Sequence, residues 1–279
     1  MKRSTHQWRE TLSQPANPAE LLAAGVVVVA VIAVGLLMQR GEDRAPASEA
    51  LSSPDGGLPL VKALPAGLAD AEDVRGPLWD GGGFRIATVR EGASVRLYER
   101  PREGVVKRVG DRTEFGSLQS FSVTDRRRRW LEVSSSHAPD NGTLWIPANR
   151  QVLEFDNTRV SVHADLGDQQ VELRRRGEVL HSFEVTIGAA GTSTPAGRFA
   201  VTDIFVDNLN PVYGCCAIAL TAHQPNLPVG WIGGDRVAIH GTVGPVGGAA
   251  SSGCLRADDD DARILTQALR PGSPVIISA

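Results

Sequence analysis

One cysteine, reached from a histidine across a loop of small residues, is the part of this chain best suited to chemistry. Residues 235–256 read DRVAIHGTVGPVGGAASSGCLR. The stretch runs from the apolar Val237-Ala238-Ile239 to His240, crosses the loop, and arrives at Ser251-Ser252-Gly253-Cys254. A thiol attacks a carbonyl as its thiolate, so it needs a base or a cation beside it. The separation of His240 from Cys254 is short enough for a compact loop to fold them into contact. Gly241, Gly244, Gly247, Gly248 and Gly253 let backbone come close to a substrate and let N–H groups converge on an oxyanion. An arbitrary Cys–His pair would read as a small buried hydrophobe and a satisfied polar residue.

The glycines, the spacing and Arg256 together fit one pattern. His-Gly-Thr, a small-residue loop and Ser-x-Gly-Cys-x-Arg resemble the signature of the L,D-transpeptidase catalytic domain. That resemblance implies a two-step acyl transfer on peptidoglycan stem peptides, with no cofactor and no metal. Cys254 is the expected nucleophile. His240 is the expected general base, taking the thiol proton either beforehand as an ion pair or during attack. A donor tetrapeptide stem loses its terminal D-alanine, and an amine of a neighbouring stem accepts the acyl group as a 3→3 cross-link. Gly241 is expected to orient the imidazole through its carbonyl, and the N–H groups of Gly253 and Cys254 to hold the oxyanion. Ser251, Ser252, Arg256, Thr242, Tyr213 and Trp231 are the candidates for substrate contact, with ordering of the loop the favoured alternative for Arg256 and core packing the alternative for Tyr213 and Trp231. Family members commonly carry histidine where this chain has Ser252, a departure that bears on substrate preference. The resemblance also implies covalent inactivation by carbapenem-type β-lactams.

Other readings compete. Water in place of the acceptor amine makes an L,D-carboxypeptidase with the same nucleophile. A wall-binding module that has lost activity is favoured only by Ser252. A sortase also uses His, Cys and Arg, but its histidine lies far upstream of its cysteine. A metal site from Cys215, Cys216, Cys254 and His240 matches no common zinc spacing. Asp258 to Asp261 suggest calcium, yet consecutive helical residues point around the axis and not at one ion.

The elements that must position these residues can be read in order. Thirty glycines and seventeen prolines in 279 residues point to many turns and short strands. A net charge of −3 offers no broad basic surface for nucleic acid. Three cysteines are too few for a disulfide framework, so Cys215 and Cys216 read as two buried thiols. After a polar cytoplasmic tail, residues 1–20, the uncharged run Leu21 to Met38 is long enough for a membrane-spanning helix. Lys2, Arg3 and Arg9 favour a cytoplasmic N-terminus and a catalytic domain on the extracytoplasmic side of the cell membrane. A cleaved signal peptide is the rival, with Ala45-Pro46-Ala47 as a loose cleavage site. Residues 39–82 read as a flexible tether.

Residues 83–150 alternate in short runs (FRIATV, ASVRLYE, VVKRV, LQSFSV, RWLEVS, TLWIP) and suggest a small barrel similar to SH3-like wall modules. Residues 151–279 form the catalytic segment, with a hairpin at Arg176-Gly177 and a Thr194-Pro195 turn leading into a strand. His163 and His181 read as surface polar residues, and 207–234 as a turn-rich insert. A C-terminal helix follows, capped by Asp258 or Asp259 and burying Ile264, Leu265 and Leu269. A last strand at Val275-Ile276-Ile277 closes the sheet. The expected fold is mainly β: an L,D-transpeptidase-type β-sandwich with one helix, preceded by the SH3-like barrel and the transmembrane helix.

Overall fold

The computed structural model describes residues 83–231 and 234–279. The tail, the expected membrane span and the tether lie outside these residues. Among the described residues no helix is long and apolar enough to cross a membrane.

The alternating runs become the strands β1 (Phe84–Val89), β2 (Val95–Arg100), β3 (Glu103–Val109), β4 (Ser120–Arg127), β5 (Trp130–Ser134) and β6 (Thr143–Pro147). Of these, β2 buries Val95 and Leu97 and exposes Arg96 between them, while β4 and β6 are covered on both faces over part of their length. A seventh strand, β7 (Leu153–Thr158), pairs antiparallel along the whole of β1, giving the order β3-β2-β6-β5-β4-β1-β7. The boundary expected after residue 150 therefore moves to the far side of β7. The reason is local: Leu153 is fully buried in the same core as Leu97, Phe121, Leu131, Val133, Leu144 and Ile146. Each such side chain contributes roughly 1.5–3 kcal/mol by leaving water. The arginine run Arg126 to Arg129 sits at the exposed β4–β5 turn.

The second sheet has eight strands in the order β10-β9-β8-β17-β12-β13-β14-β16. These are β8 (Val160–Asp165), β9 (Gln170–Arg175), β10 (Glu178–Glu184), β12 (Gly197–Phe205), β13 (Ala217–His223), β14 (Arg236–Thr242), β16 (Leu255–Asp258) and β17 (Pro274–Ser278). Two short strands, β11 (Ile187–Gly188) and β15 (Ala249–Ser251), pair with each other in parallel. All eight strands of the large sheet send side chains into one core, so the sheet curls over itself. The helix α1 (Asp259–Ala268) closes that core with Ala262 and Leu265, and Ile264 packs against it. Asp258 caps it, accepting from the Asp260 N–H at 3.0 Å.

Three expectations need correction. The turn-rich insert contains β13, a central strand buried at Ala217–Ala222. Its run of small and apolar residues shows no alternation because both of its faces are covered. Cys215 and Cys216 are not separate thiols but are bonded to each other. They lie in the turn before β13, outside the pleat that would send neighbouring side chains to opposite faces. His163 and His181 are half-buried: His163 lies 3.1 Å from Ser161 Oγ, and His181 pairs with Asp261 at 2.6 Å.

Burial holds both His137 and His163 at a pKa of about 4. Both are therefore neutral in the folded protein well below the pH at which the unfolded chain protonates them. The unfolded state then binds more protons as pH falls from about 6.5 towards 4, and stability falls with it. The carboxyls of Asp156, bonded to Arg270, and Asp235, bonded to His223, are held below the usual range, and their contribution is lost only at lower pH, below the ordinary carboxylate range. We expect Tm to drop by several degrees between pH 7.5 and pH 5, measured by thermal melting in matched salt.

Candidate active site

The positions of His240 and Cys254 follow from strand register. β14 and β16 run parallel, with Ile239 opposite Leu255 and His240 opposite Arg256. Parallel pairing obliges the chain to turn back after Thr242, and the glycine-rich loop makes that return. Cys254 thereby arrives beside Ala238, one pleat from His240. Val237, Ile239, Leu255 and Ala257 face the core. By alternation Ala238, His240, Cys254 and Arg256 share the opposite face. Of these, His240, Cys254 and Arg256 line a small cavity of about 60 Å³ together with Tyr213, Gln224, Trp231, Ser251 and Ser252.

His240 is buried, and its Nδ1 lies 2.7 Å from the Gly241 carbonyl. A carbonyl can only accept, so Nδ1 carries the proton and the Nε2 lone pair is left for the cavity. Burial is the main influence on the imidazole and, against the raising effect of the Gly241 carbonyl, holds its pKa at about 4. Burial likewise pushes the Cys254 thiol up, with the Ala238 backbone and the Arg256 guanidinium pulling the other way. Both shifts favour uncharged forms. Burial thus favours thiol and imidazole over an ion pair. The proton must therefore move during attack, and the rate of acylation should stay level from about pH 5 to 8, falling only as pH approaches 4. A stopped-flow pH profile checks this; a limb near pH 6.5 would contradict it.

Two glycines are required by their surroundings. A Cβ on Gly241 would run into the Asp259 carboxylate, which accepts from the Cys215 N–H at 2.9 Å, and into Cys215 itself. Gly253 has φ of 113°, and a Cβ there would strike the Gln224 amide.

The Gly253 N–H donates to Ser251 Oγ at 3.1 Å, and that hydroxyl donates to the Cys254 carbonyl at 2.6 Å. Gly253 is thus committed to holding the nucleophile's loop, which leaves the Cys254 N–H as the backbone donor beside the thiol. Ser251 has the same loop role. Thr242 lies outside the cavity lining, its hydroxyl accepting from the Gly244 N–H at 3.2 Å. Tyr213 packs edge-on against His240 with ring centroids 5.0 Å apart, and burial followed by the charge of Cys254 raises its pKa. Trp231 stands partly exposed at the mouth, its indole N–H donating to the Gly234 carbonyl at 3.0 Å.

Two contributors escape sequence reasoning. The Gln224 amide donates to the carbonyls of Thr192 and Ser193 at 3.0 and 2.8 Å and fills the space beside Gly253. Asp259 fixes the Cys215 backbone next to Gly241. Neither has a sequence signal beyond following a buried strand and opening a helix. Among the described residues no cluster of His, Cys, Asp or Glu is disposed to hold a metal ion.

Residues 159–277, the whole of the second sheet and its helix, match the model of the L,D-transpeptidase catalytic-domain (YkuD) family. This segment is similar to L,D-transpeptidase catalytic domains. No curated protein sequence matches the chain. Similar solved structures include an Enterococcus faecium L,D-transpeptidase mutant, 21% identical with a TM-score of 0.34, over 43% of this chain and 49% of that one. An L,D-transpeptidase from Mycobacterium smegmatis is 18% identical with a TM-score of 0.35, over 57% of this chain and 90% of that one. An LD transpeptidase in complex with imipenem is 20% identical with a TM-score of 0.36, over 57% and 90%. The match spans about half the length of the Enterococcus faecium chain. The motif residues His240, Gly253, Cys254 and Arg256 all fall inside the matched domain, as do Gln224 and Asp259.

Proposed function

We propose that this L,D-transpeptidase domain cross-links peptidoglycan stems through a Cys254 thioester. The observation that carries the reading is the shared face of His240 and Cys254, with the His240 tautomer fixed by Gly241. Cys254 Sγ attacks the carbonyl of the third residue of a donor tetrapeptide, and the thiol proton passes to His240 Nε2. The Cys254 N–H stabilises the oxyanion, a contribution of about 3 kcal/mol per donor. On collapse the C–N bond breaks, His240 returns the proton to the leaving D-alanine amine, and the thioester remains. An amine of a second stem then attacks, His240 takes its proton, and the thiol is regenerated as the 3→3 bond forms.

Arg256 offers a positive charge to a stem carboxylate at the cavity, and the apolar surfaces of Val212 and Trp231 offer a wall for the donor stem. Ser252 supplies a small hydroxyl where a histidine would fill the same side of the cavity. The same reading places the domain outside the cell membrane, tethered by Leu21 to Met38. Protease treatment of intact cells should then remove the domain.

The test is to incubate the full chain, in detergent, with a tetrapeptide stem ending in D-alanine and to follow D-alanine loss and dimer by mass spectrometry. Dimer is the expected product. Tripeptide without dimer would assign an L,D-carboxypeptidase, and neither product would leave a wall-binding protein. A carbapenem should add its full mass to Cys254, with the ring amide opened to a thioester. Cys254→Ala should gain nothing.

A further inference from the structure

We infer that the loop from Asp111 to Gln119 of the first module is a positioning element of the active site in the second. The loop is held rigid within its own module: the Gln119 N–H donates to the Asp111 carbonyl at 2.8 Å, and the Thr113 N–H to the Ser117 carbonyl at 2.9 Å. The Thr113 hydroxyl accepts from the N–H groups of Phe115 and Ser117. From this base three consecutive side chains enter the catalytic domain.

Thr113 Oγ1 donates to Asp203 Oδ1 at 2.6 Å, at a carboxylate that is almost fully buried on β12. The Glu114 carboxylate pairs with the Arg236 guanidinium, whose side chain is 3% exposed. Arg236 opens β14, the strand that carries His240, and lines the cavity. Its remaining N–H groups reach the Leu220 carbonyl and Thr202 Oγ1, so β12, β13 and β14 meet on this one cation. Phe115 stacks edge-on against Phe205 at 5.5 Å, lies under the Arg236 guanidinium at 5.9 Å, and shares an apolar cluster with Tyr213. Tyr213 is the ring that packs on His240.

A buried guanidinium needs its counter-charge, and a ring held on one side only can rotate. Within the catalytic domain alone, Arg236 would keep the nearby charges of Asp203 and Asp235 but lose its direct ion pair with Glu114, and Tyr213 would have no Phe115 behind it. The two contacts converge on the two ends of the base's environment: Glu114 fixes the start of its strand, and Phe115 fixes the aromatic wall against its ring. The first module thereby acts as a buttress of the reaction centre, whatever else it binds. Glu114 and Phe115 lie outside the cavity lining and act through Arg236 and Tyr213.

The inference rests on the proposed function for its substrate assay, so a second readout is independent of substrate. In the full chain, Glu114→Gln and Phe115→Ala should each lower kcat for D-alanine release about 10–100-fold while KM stays within about twofold, since a small misplacement of a base costs rate and not binding. Phe115→Leu, which keeps most of the volume, should recover part of the loss. Val133→Ala, in the first module's own core, should lower Tm comparably yet keep wild-type kcat. Alkylation of Cys254 by iodoacetamide should be slowed in Glu114→Gln and Phe115→Ala alike. Wild-type kcat and labelling in both variants would overturn the inference, as would an equal loss in Val133→Ala. Slowed labelling with no D-alanine release by any protein, wild type included, would keep the inference and remove the proposed substrate.

Discussion

Cys254→Ala is expected to abolish D-alanine release and dimer formation, by at least about 10⁴-fold in kcat/KM, with the fold intact. The factor follows from the absence of any other thiol on the cavity face: Cys215 and Cys216 are bonded to each other. Each tenfold step corresponds to about 1.4 kcal/mol of transition-state free energy, so the nucleophile accounts for more than about 5 kcal/mol. Cys254→Ser should be nearly as inactive, because a hydroxyl is far harder to deprotonate than a thiol and the imidazole is itself a weak base here. His240→Ala should cost about 10²–10⁴-fold, within the range of general-base catalysis, because burial keeps the unassisted thiol protonated. Mass spectrometry of the acylated protein separates the cases. Wild type should trap a thioester with a slow substrate, His240→Ala should trap it slowly, and Cys254→Ala should never form it. Turnover by Cys254→Ala above one part in a thousand of wild type would exclude Cys254 as the nucleophile.

The second large effect is expected from a methyl group. Gly241→Ala places a Cβ against the Asp259 carboxylate and Cys215, while the Gly241 N–H is held by the Cys216 carbonyl at 3.0 Å and its own carbonyl holds His240. Asp259 cannot swing away without losing the Cys215 N–H, so the strain falls on the backbone that sets the imidazole. Overpacking of this kind costs about 1–3 kcal/mol of stability, and misorienting the base about 10²-fold in kcat. Denaturant melts together with kcat and KM check both numbers. Thr242→Ala, the next residue along, should stay within about twofold in kcat, because its side chain caps the loop outside the cavity. If the two variants behaved alike, the clamp on His240 would have no catalytic role.

The outline of this site was readable in the chain because its chemistry is local in sequence. His240, the glycine loop and Cys254 lie within one short stretch, and small residues between a base and a nucleophile have few other uses. The interest in the Gly241 carbonyl came from the resemblance, and the structure puts that carbonyl 2.7 Å from His240 Nδ1. The helix, with Asp258 or Asp259 as its cap, was readable from turn and charge signals that act over one turn, and the structure selects Asp258. β13 was not, since a strand covered on both faces loses the alternation that identifies one. The hydrogen bond of the Gly253 N–H was not readable, because a backbone N–H looks the same in any sequence. Only the position of Ser251 Oγ decides that it is already engaged.

What the sequence determined by itself is the set of candidate reacting groups and the loop that joins them, since residue type fixes what can lose a proton, attack or bend. What only the tertiary structure decided is their state and their support. The neutral thiol–imidazole pair comes from burial, which no residue carries in its own name. Gln224 behind Gly253, and Glu114 and Phe115 behind Arg236 and Tyr213, join residues distant in sequence. Those contacts exist because packing brings surfaces together in space, and hydrogen bonds and buried charges are satisfied by whatever lies nearest once they have met.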